Sequence, residues 1–312
     1  MLNREYTRKV ELFLNLFQSR MFKAFGNVEF SGFFTYDRLS LEEASAMPRQ
    51  PLPVGMPWGK KWEYGWFFGE ITVPEALDGQ RLELAAKMGE SVVFVNGQVF
   101  GSFDQRHSHV TLTRCAKAGE VIRIAMEAYA GHFGDAAQAP NGRLGGPKNY
   151  TILVPEWNEQ PFPEDVCQRR VQEASFGVLR EPLFQLWIEL SLLYDLRNSV
   201  DPDSLRRAMI DKTLMKLCDL IDIEAPGEEF MAQVEQGRTL LKPLLECKNG
   251  STTPQFYSVG HSHLDLEWLW TVNETRRKAA RTLGNQLKLI EEYPEYKYIQ
   301  SQPWILETVK NE

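Results

Sequence analysis

The sequence predicts a multidomain protein: an all-β sandwich, a block of helices, and then the first strand–helix–strand unit of a parallel sheet or barrel. Three observations predict this order. Short segments with period-two alternation occupy residues 62–126, helical periodicity dominates residues 165–245, and a strand, a helix and a further strand are predicted within residues 254–301. A chain of 312 residues is long enough for such a division. We expect an N-terminal helix in residues 1–30, the sandwich in 31–163, a helical linker in 164–250 and the α/β segment in 251–312.

The sandwich is predicted from short apolar-alternating segments separated by turn residues. The strongest local signal is Asn96-Gly97, because a tight hairpin turn needs positive φ at both central residues. The predicted strands are Trp66–Val73, Arg81–Ala86, Ser91–Val95, Gln98–Phe100, His109–Thr113 and Glu120–Met126, with one more over Tyr150–Val154. Strands of this length and spacing favour a β-sandwich or jelly roll.

Residues 89–101, 109–112 and 118–124 carry a resemblance to a known domain class. This segment resembles the galactose-binding-like jelly-roll domains that are appended to many glycoside hydrolases. The resemblance implies either a sugar-binding role or, as we expect here, a role as a scaffold for a catalytic domain.

Helices are predicted at the N-terminus and between the two β-rich regions. The N-terminal helix covers residues 4–24, with its apolar side chains at helical spacing. In the linker, helices are predicted over 184–194, from Asp201-Pro202 onward, and over 228–245; Asp201 is assigned as the N-cap because proline is favoured at the first helical position. The apolar face predicted for the second of these consists of Leu205, Met209, Leu214, Leu217 and Leu220.

The end of the chain has the pattern of a βαβ unit. Pro254–Val259 is predicted as a buried strand, and Lys297–Ser301 as the next strand. The helix between them, over residues 273–290, is predicted to bury Ala280, Leu283, Leu287 and Ile290. Such a unit opens a parallel sheet or barrel.

Composition and charge narrow the function. The net charge of −7 argues against a general nucleic-acid binder or a binder of anionic membranes. The four cysteines are widely spaced, which disfavours a thiolate zinc site and indicates reduced thiols in a cytoplasmic protein. The apolar run at residues 12–17 is too short for a signal peptide and is interrupted by Asn15.

The run from Gly260 to Trp270 holds the candidate functional residues. In an extended segment, residues two apart point the same way, so His261, His263 and Asp265 can line one side of a strand end. An imidazole and a carboxylate are good ligands for zinc or a similar first-row ion, although two ligands alone do not bind it tightly. The alternative is a hydrogen-bonded His263–Asp265 pair with no metal. His261 is a ligand candidate, a group that orients a ligand, or a packed polar residue with no role at a metal.

The run Gly-His-Ser-His-Leu-Asp-Leu-Glu-Trp-Leu-Trp is followed by Asn273–Thr282, Glu291–Tyr298 and Ser301-Gln302-Pro303. Together these resemble the start of the catalytic domain of glycoside hydrolase family 38 α-mannosidases of the bacterial and cytosolic type. The resemblance implies zinc, or another divalent first-row metal, on His263 and Asp265, and Trp268 packed against the sugar. It implies a mannose-containing oligosaccharide as the binding partner, and it is compatible with a homo-oligomer.

The same resemblance implies a retaining mechanism with an aspartate nucleophile. That nucleophile lies in a Leu-Pro-Asp-x-Phe-Gly-Tyr-like run, which this sequence lacks. We therefore expect no catalytic nucleophile in the chain, an incomplete α/β barrel, and no hydrolysis by these residues alone.

Two other functions stay open at this point. A metal-dependent amidohydrolase would use His261 and His263 as its ligand pair. A carbohydrate-binding or scaffold module without catalysis would use the jelly-roll segment.

Overall fold

The computed structural model describes residues 2–104, 107–131, 167–248, 250, 253–266 and 270–310. The strands are β1 (Phe22–Asn27), β2 (Ser31–Thr35), β3 (Gln50–Pro51), β4 (Pro57–Trp58), β5 (Tyr64–Thr72), β6 (Leu82–Ala85), β7 (Glu90–Val95), β8 (Gln98–Phe103), β9 (His109–Thr113), β10 (Val121–Tyr129), β11 (Arg169–Arg170), β12 (Ser175–Leu179), β13 (Gly260–His261) and β14 (Tyr298–Ile299). The helices are α1 (Arg4–Arg20), α2 (Leu41–Ala46), α3 (Glu181–Ser199), α4 (Leu205–Leu220), α5 (Gly227–Leu245), α6 (Val272–Glu292) and α7 (Pro303–Lys310).

The chain divides into two compact units. The helical unit comprises Met1–Ala24 and Gly177–Phe256, and the sandwich unit comprises Phe25–Phe176 and Tyr257–Glu312. The boundaries fall inside β1 and β12 and just before the His-x-Asp region. The sandwich unit therefore contains both the β-rich segment and the C-terminal α/β segment.

The helical unit packs α1, α3, α4 and α5 around one apolar core. The N-terminal helix is confirmed, and Asn3 caps it by accepting a hydrogen bond from the Tyr6 amide at 2.9 Å. The fully buried core side chains include Val10, Phe17, Leu186, Leu190, Ile210, Leu214, Leu217, Val234 and Leu241.

The predicted start of α4 at Asp201 is wrong. The Asp201 carboxylate accepts from the Asp203 amide at 2.8 Å, so this side chain closes a turn before the helix. Ser204 is the N-cap, and its hydroxyl accepts from the Arg207 amide at 3.2 Å. The apolar face is also shifted, because Ile210 and Cys218 are buried while Leu205 and Met209 are exposed.

The sandwich unit contains a six-stranded sheet in the order β3-β2-β5-β10-β7-β8, and β6 pairs with β9 antiparallel. The hairpin at Asn96-Gly97 is confirmed: both residues have positive φ, 50° and 88°, and they join β7 to β8. The core includes Trp58, Trp66, Phe67, Leu82, Leu84, Phe103, Ile122 and Met126. The strand predicted over Tyr150–Val154 lies outside the described residues.

The C-terminal segment forms a parallel strand–helix–strand unit. Gly260 and His261 of β13 pair in parallel with Tyr298 and Ile299 of β14, and α6 connects the two strands. The predicted buried strand at Pro254–Val259 is wrong, because these residues form no strand and lie exposed. Among the described residues, β13 pairs with the short strand β14 and with no other strand. Residues 254–259, which precede β13, therefore have no described neighbouring strand with which to pair.

The predicted buried stripe of α6 is also wrong. Leu287 and Ile290 are exposed, whereas the buried positions are Glu274, Thr275, Arg277, Ala279, Arg281 and Gly284. The reason is that α6 packs against β7 and β8 of the sandwich through a polar face. None of the helices in the described part of the chain has the length and apolar character that a bilayer crossing requires.

Candidate metal centre

The candidate site lies in the loop that leaves the carboxyl end of β13, residues 262–266. The side chains of His263 and Asp265 lie together, with His263 Nε2 3.4 Å from Asp265 Oδ1. Both are open to solvent, with side-chain exposures of 71% and 47%. An open pair at the end of a parallel strand is accessible to a ligand from outside.

The distance between these two atoms fits shared binding of one ion. Zinc bonds imidazole nitrogen and carboxylate oxygen at about 2.0–2.2 Å, and a tetrahedral angle then separates the two ligand atoms by about 3.4 Å. A charge-assisted hydrogen bond would bring them to about 2.7–2.9 Å. An imidazole nitrogen and a carboxylate oxygen at this separation thus suit two of the ligand positions around a tetrahedral zinc ion. Among the described residues, no cluster of three or more His, Cys, Asp or Glu side chains completes such a site.

A second exposed imidazole–carboxylate pair in the chain gives an internal comparison. His107 Nδ1 lies 2.8 Å from Asp104 Oδ2, and the other Asp104 oxygen accepts from the His107 amide at 2.7 Å. Both oxygens of this carboxylate are therefore engaged by the same histidine. That pair is an ordinary hydrogen-bonded pair, and its geometry differs from that of His263 and Asp265.

The structure separates His261 from this pair. His261 Nε2 lies 2.8 Å from the Ser301 hydroxyl, across the parallel strands. Trp268 falls in residues 267–269, which lie outside the described part of the chain. Trp270 is engaged within its own unit: its indole N–H donates to Thr275 Oγ1 at 3.0 Å, and Lys278 Nζ lies 4.6 Å from its ring centroid.

Three side chains that sequence reasoning did not single out hold the backbone of the 262–266 loop. The Gln302 carboxamide accepts from the Leu264 amide at 2.9 Å and donates to the Leu264 carbonyl. Gln300 donates to the Ser262 carbonyl at 3.1 Å. The Thr275 hydroxyl lies 3.3 Å from the Asp265 carbonyl, to which it donates, and it is also bonded to the Leu266 carbonyl. These bonds give an irregular loop the backbone partners that a strand would otherwise supply.

Thr275 belongs to the first turns of α6, and the residues around it are charged and buried. Glu274 is fully buried, and one of its oxygens accepts from the Tyr64 hydroxyl at 2.5 Å. Its other oxygen forms an ion pair with Arg281. Burial and the neighbouring Glu274 charge raise the pKa of the Tyr64 hydroxyl, so this tyrosine stays a donor.

Further ion pairs tie α6 to β7 and β10. Arg277 Nε lies 2.8 Å from Glu127 Oε1, and its guanidinium stacks 3.7 Å from the centroid of the Tyr64 ring. Glu90 accepts from Lys278 at 2.7 Å and from Arg281 at 3.1 Å. Six side chains, together called the charged cluster here, share this network: Glu90, Glu127, Glu274, Arg277, Lys278 and Arg281.

The charged cluster is balanced in sign, and burial acts against its charged members. Burial raises the pKa of the Glu127 carboxyl above its ordinary value, although Arg277 opposes the shift. Burial disfavours the charged form of Arg281 as well, yet the carboxylates of Glu274 and Glu90 outweigh it and raise the Arg281 pKa. The cluster therefore depends on each charge keeping its partner.

Comparison with known proteins shows two families to which parts of this chain are similar. Residues 253–312 match the family described as "Glycosyl hydrolases family 38 N-terminal domain", and residues 27–153 match the family described as "Alpha-mannosidase, jelly roll domain". The two matches cover the candidate metal loop and the sandwich. They confirm the resemblance read from the sequence, to the N-terminal portion of a family 38 α-mannosidase.

Individual relatives point the same way. The chain is 28% identical over 282 residues to Alpha-mannosidase 2C1 of Homo sapiens, covering 90% of this chain and 25% of that protein. It is 44% identical over 283 residues to Alpha-mannosidase of Saccharomyces cerevisiae, covering 81% and 23%. It is 22% identical over 273 residues to Alpha-mannosidase G of Dictyostelium discoideum, covering 85% and 23%. The chain thus spans about a quarter of the length of the curated relatives it matches.

Proposed function

We propose that this chain is the N-terminal portion of a retaining, metal-dependent α-mannosidase that removes terminal α-mannosyl residues from mannose-containing oligosaccharides. In this proposal His263 and Asp265 are two of the ligands of a zinc ion or a similar divalent ion, and Trp268 lies against the sugar. The observation that supports the mannosidase assignment is the match of residues 253–312, which include the His263–Asp265 pair, to the family 38 N-terminal domain. The 3.4 Å separation of His263 Nε2 and Asp265 Oδ1 is compatible with two positions of a shared tetrahedral ion.

The roles of the residues follow from their chemistry. A bound divalent ion would act as a Lewis acid that binds two adjacent hydroxyl groups of mannose. His263 must be neutral and Asp265 ionised to serve as ligands, so protons compete with the metal for both side chains. His261, whose Nε2 lies 2.8 Å from the Ser301 hydroxyl, is proposed as a group that orients the candidate ligands. The engagement of His261 elsewhere disfavours an amidohydrolase with a His261–His263 pair.

The proposal assigns the chemical step to residues outside this chain. A retaining glycosidase needs two carboxyl groups about 5–5.5 Å apart, one acting as nucleophile and the other as acid and base. The expected nucleophile run is not in the sequence, and we propose that the isolated chain does not hydrolyse glycosides. The α/β segment would then be the first part of a barrel.

The remaining organisation is proposed on the same basis. Along the sequence we propose an N-terminal helix (1–30), the jelly-roll sandwich (31–163), the helical linker (164–250) and the start of the catalytic domain (251–312). The N-terminal helix and the linker helices share one core and form a single compact unit. The sandwich serves as a scaffold, as its ion pairs with α6 suggest. All four cysteines are free, which supports a cytoplasmic location. The net negative charge disfavours nucleic acid and anionic membranes as partners, and a homo-oligomer is compatible with the sequence.

Sugar binding by the isolated chain tests the proposal. Saturation-transfer NMR with methyl α-mannoside and zinc should show a signal that disappears in His263→Ala and on chelation. Methyl α-glucoside, whose 2- and 3-hydroxyls are not cis, should give a weaker signal. Equal signals for the two sugars, or a mannoside signal that persists in His263→Ala, would argue against the proposal. Turnover of an aryl α-mannoside above the His263→Ala background would contradict the predicted inactivity.

A further inference from the structure

The loop that carries His263 and Asp265 has no regular structure of its own beyond β13. Its backbone is bound instead by the side chains of Thr275 in α6 and of Gln300 and Gln302, which lie between β14 and α7. Gln302 binds both the amide and the carbonyl of Leu264, the residue between the two candidate ligands. Two bonds to one residue fix its orientation more firmly than a single bond, so Gln302 restricts how His263 and Asp265 can turn relative to each other.

The other fixed point is Thr275. Its single hydroxyl hydrogen is shared between the carbonyls of Asp265 and Leu266, and its oxygen accepts from the Trp270 indole. Thr275 is fully buried and sits in the first turns of α6. A buried hydroxyl with three partners has little freedom, so the position of this helix turn sets the position of the Asp265 main chain.

Contacts with the sandwich strands hold the first turns of α6 in place. Glu274, next to Thr275, bonds to Tyr64 of β5, and Arg277, half a turn further on, pairs with Glu127 of β10. Arg277 also donates to the Asp37 carbonyl at 3.2 Å. A continuous path of buried contacts therefore runs from β5 and β10 through the first turns of α6 to the loop.

We propose that Thr275 and Gln302 are positioning residues for the His263–Asp265 pair, and that the sandwich sets that position through the Glu127–Arg277 and Tyr64–Glu274 contacts. This inference rests on the proposed function, because it assigns these residues to the same metal site. It also gives the sandwich a defined role, since a change in β10 then alters the metal affinity of a loop that pairs with none of the described sandwich strands.

Cobalt binding to the 312-residue chain tests the inference. Paramagnetic broadening of the His263 imidazole protons detects weak binding and reports the affinity at that residue. Thr275→Val keeps the shape of the side chain and removes the hydroxyl, and Gln302→Met removes both hydrogen bonds to Leu264. We expect each to weaken cobalt binding about tenfold, the lower end of the usual effect of removing a group that orients a metal ligand.

Conservative and remote variants separate positioning from general damage. Thr275→Ser keeps the hydroxyl and should bind cobalt within about twofold of the wild type. Thr282→Val, on the same helix, should leave the affinity unchanged. Glu127→Gln should weaken binding about two- to thirtyfold, the range of coupling through packed networks. Hydrogen–deuterium exchange of the Leu264 amide gives a second readout, and Gln302→Met should accelerate it.

The outcomes distinguish this inference from the proposed function. If Asp265→Asn abolishes the broadening of the His263 protons while Thr275→Val and Gln302→Met bind as the wild type does, the inference is overturned and the metal site stands. If wild type and Asp265→Asn respond alike, the metal site fails, and the inference fails with it. If Thr275→Val does not fold, Gln302→Met and the Leu264 exchange rate decide, since Gln302 is only half-buried.

Discussion

Buried ion pairs in the first turns of α6 make the stability of the sandwich unit depend on single residues. Glu127 and Arg277 are both buried, and they form an ion pair with each other. A buried ion pair contributes little net stability, because desolvation offsets the attraction between the charges. Removing one partner is costly, because the other charge then stays buried without compensation.

Glu127→Ala should therefore lower the free energy of unfolding by about 3–5 kcal/mol. Urea denaturation followed by intrinsic fluorescence measures the change. The matched control is Glu291→Ala, which removes an exposed ion pair with Lys288 on the same helix and should cost no more than about 0.5 kcal/mol. The double variant Glu127→Leu with Arg277→Met should recover much of the lost stability. Equal losses of stability in Glu127→Ala and Glu291→Ala would contradict this account.

Glu90 makes the sandwich unit sensitive to acid. Burial disfavours ionisation of Glu90, but the charges of Arg281 and Lys278 outweigh it and hold the pKa of this carboxyl below its ordinary value. The folded state then binds fewer protons than the unfolded state. Its contribution to stability is complete above the ordinary glutamate pKa of about 4.3 and is lost as the pH falls through the lower, folded-state pKa.

Glu90→Gln should remove this part of the acid sensitivity. Stability measured by urea denaturation between about pH 7 and pH 3 should fall less steeply in Glu90→Gln than in the wild type. The exposed Glu295→Gln serves as control and should keep the wild-type slope. A Glu90→Gln profile parallel to the wild type would show that the ion pairs of Glu90 do not stabilise the fold.

Among the elements, α6 shows where sequence periodicity misleads. Glu274, Arg277 and Arg281 are spaced three and four residues apart and share one face of the helix. That face packs on the sandwich, while the apolar face is partly exposed. Apolar periodicity assigns a different face of the helix to the core, because it does not register ion pairs with distant strands. The sequence signal that could have predicted the buried face was the spacing of Glu274, Arg277 and Arg281, which follow the His-x-Asp run.

Leu287→Ser tests this orientation of the helix. Leu287 is 60% exposed, so we expect the free energy of unfolding to change by no more than about 0.5 kcal/mol. Leu241→Ser, at a fully buried position of α5, should cost at least about 3 kcal/mol. If Leu287→Ser costs as much as Leu241→Ser, α6 buries its apolar face after all.

The loop at residues 262–266 was predicted only in part. The sequence identified His263 and Asp265 as a pair, since spacing and chemistry are local properties. It did not identify Gln302 or Thr275 as the groups that hold the loop, because they are 38 and 10 residues from the atoms they bind. Hydrogen bonds between a side chain and a distant backbone leave no periodic signal in a sequence.

At the scale of the whole molecule, alternation and turn chemistry predicted the strands β5 to β10 but not β1 to β4, β11 or β12. Asn96-Gly97 fixed one hairpin, and the strand–helix–strand order at the C-terminus predicted the parallel pair. The strand predicted at Pro254–Val259 failed because apolar composition alone does not supply a neighbouring strand. Tyr257, in that segment, is 89% exposed.

The central claim is that His263 and Asp265 bind a divalent metal, and the most direct test compares the two exposed His–Asp pairs of the chain. Their side-chain exposures are nearly equal, 71% and 47% for His263 and Asp265, 74% and 46% for His107 and Asp104. Cobalt added to the 312-residue chain should broaden the imidazole protons of His263 and leave those of His107 sharp, and Asp265→Asn should abolish the effect while Asp104→Asn does not. Equal broadening of both histidines, or broadening of His263 that survives Asp265→Asn, would contradict the account.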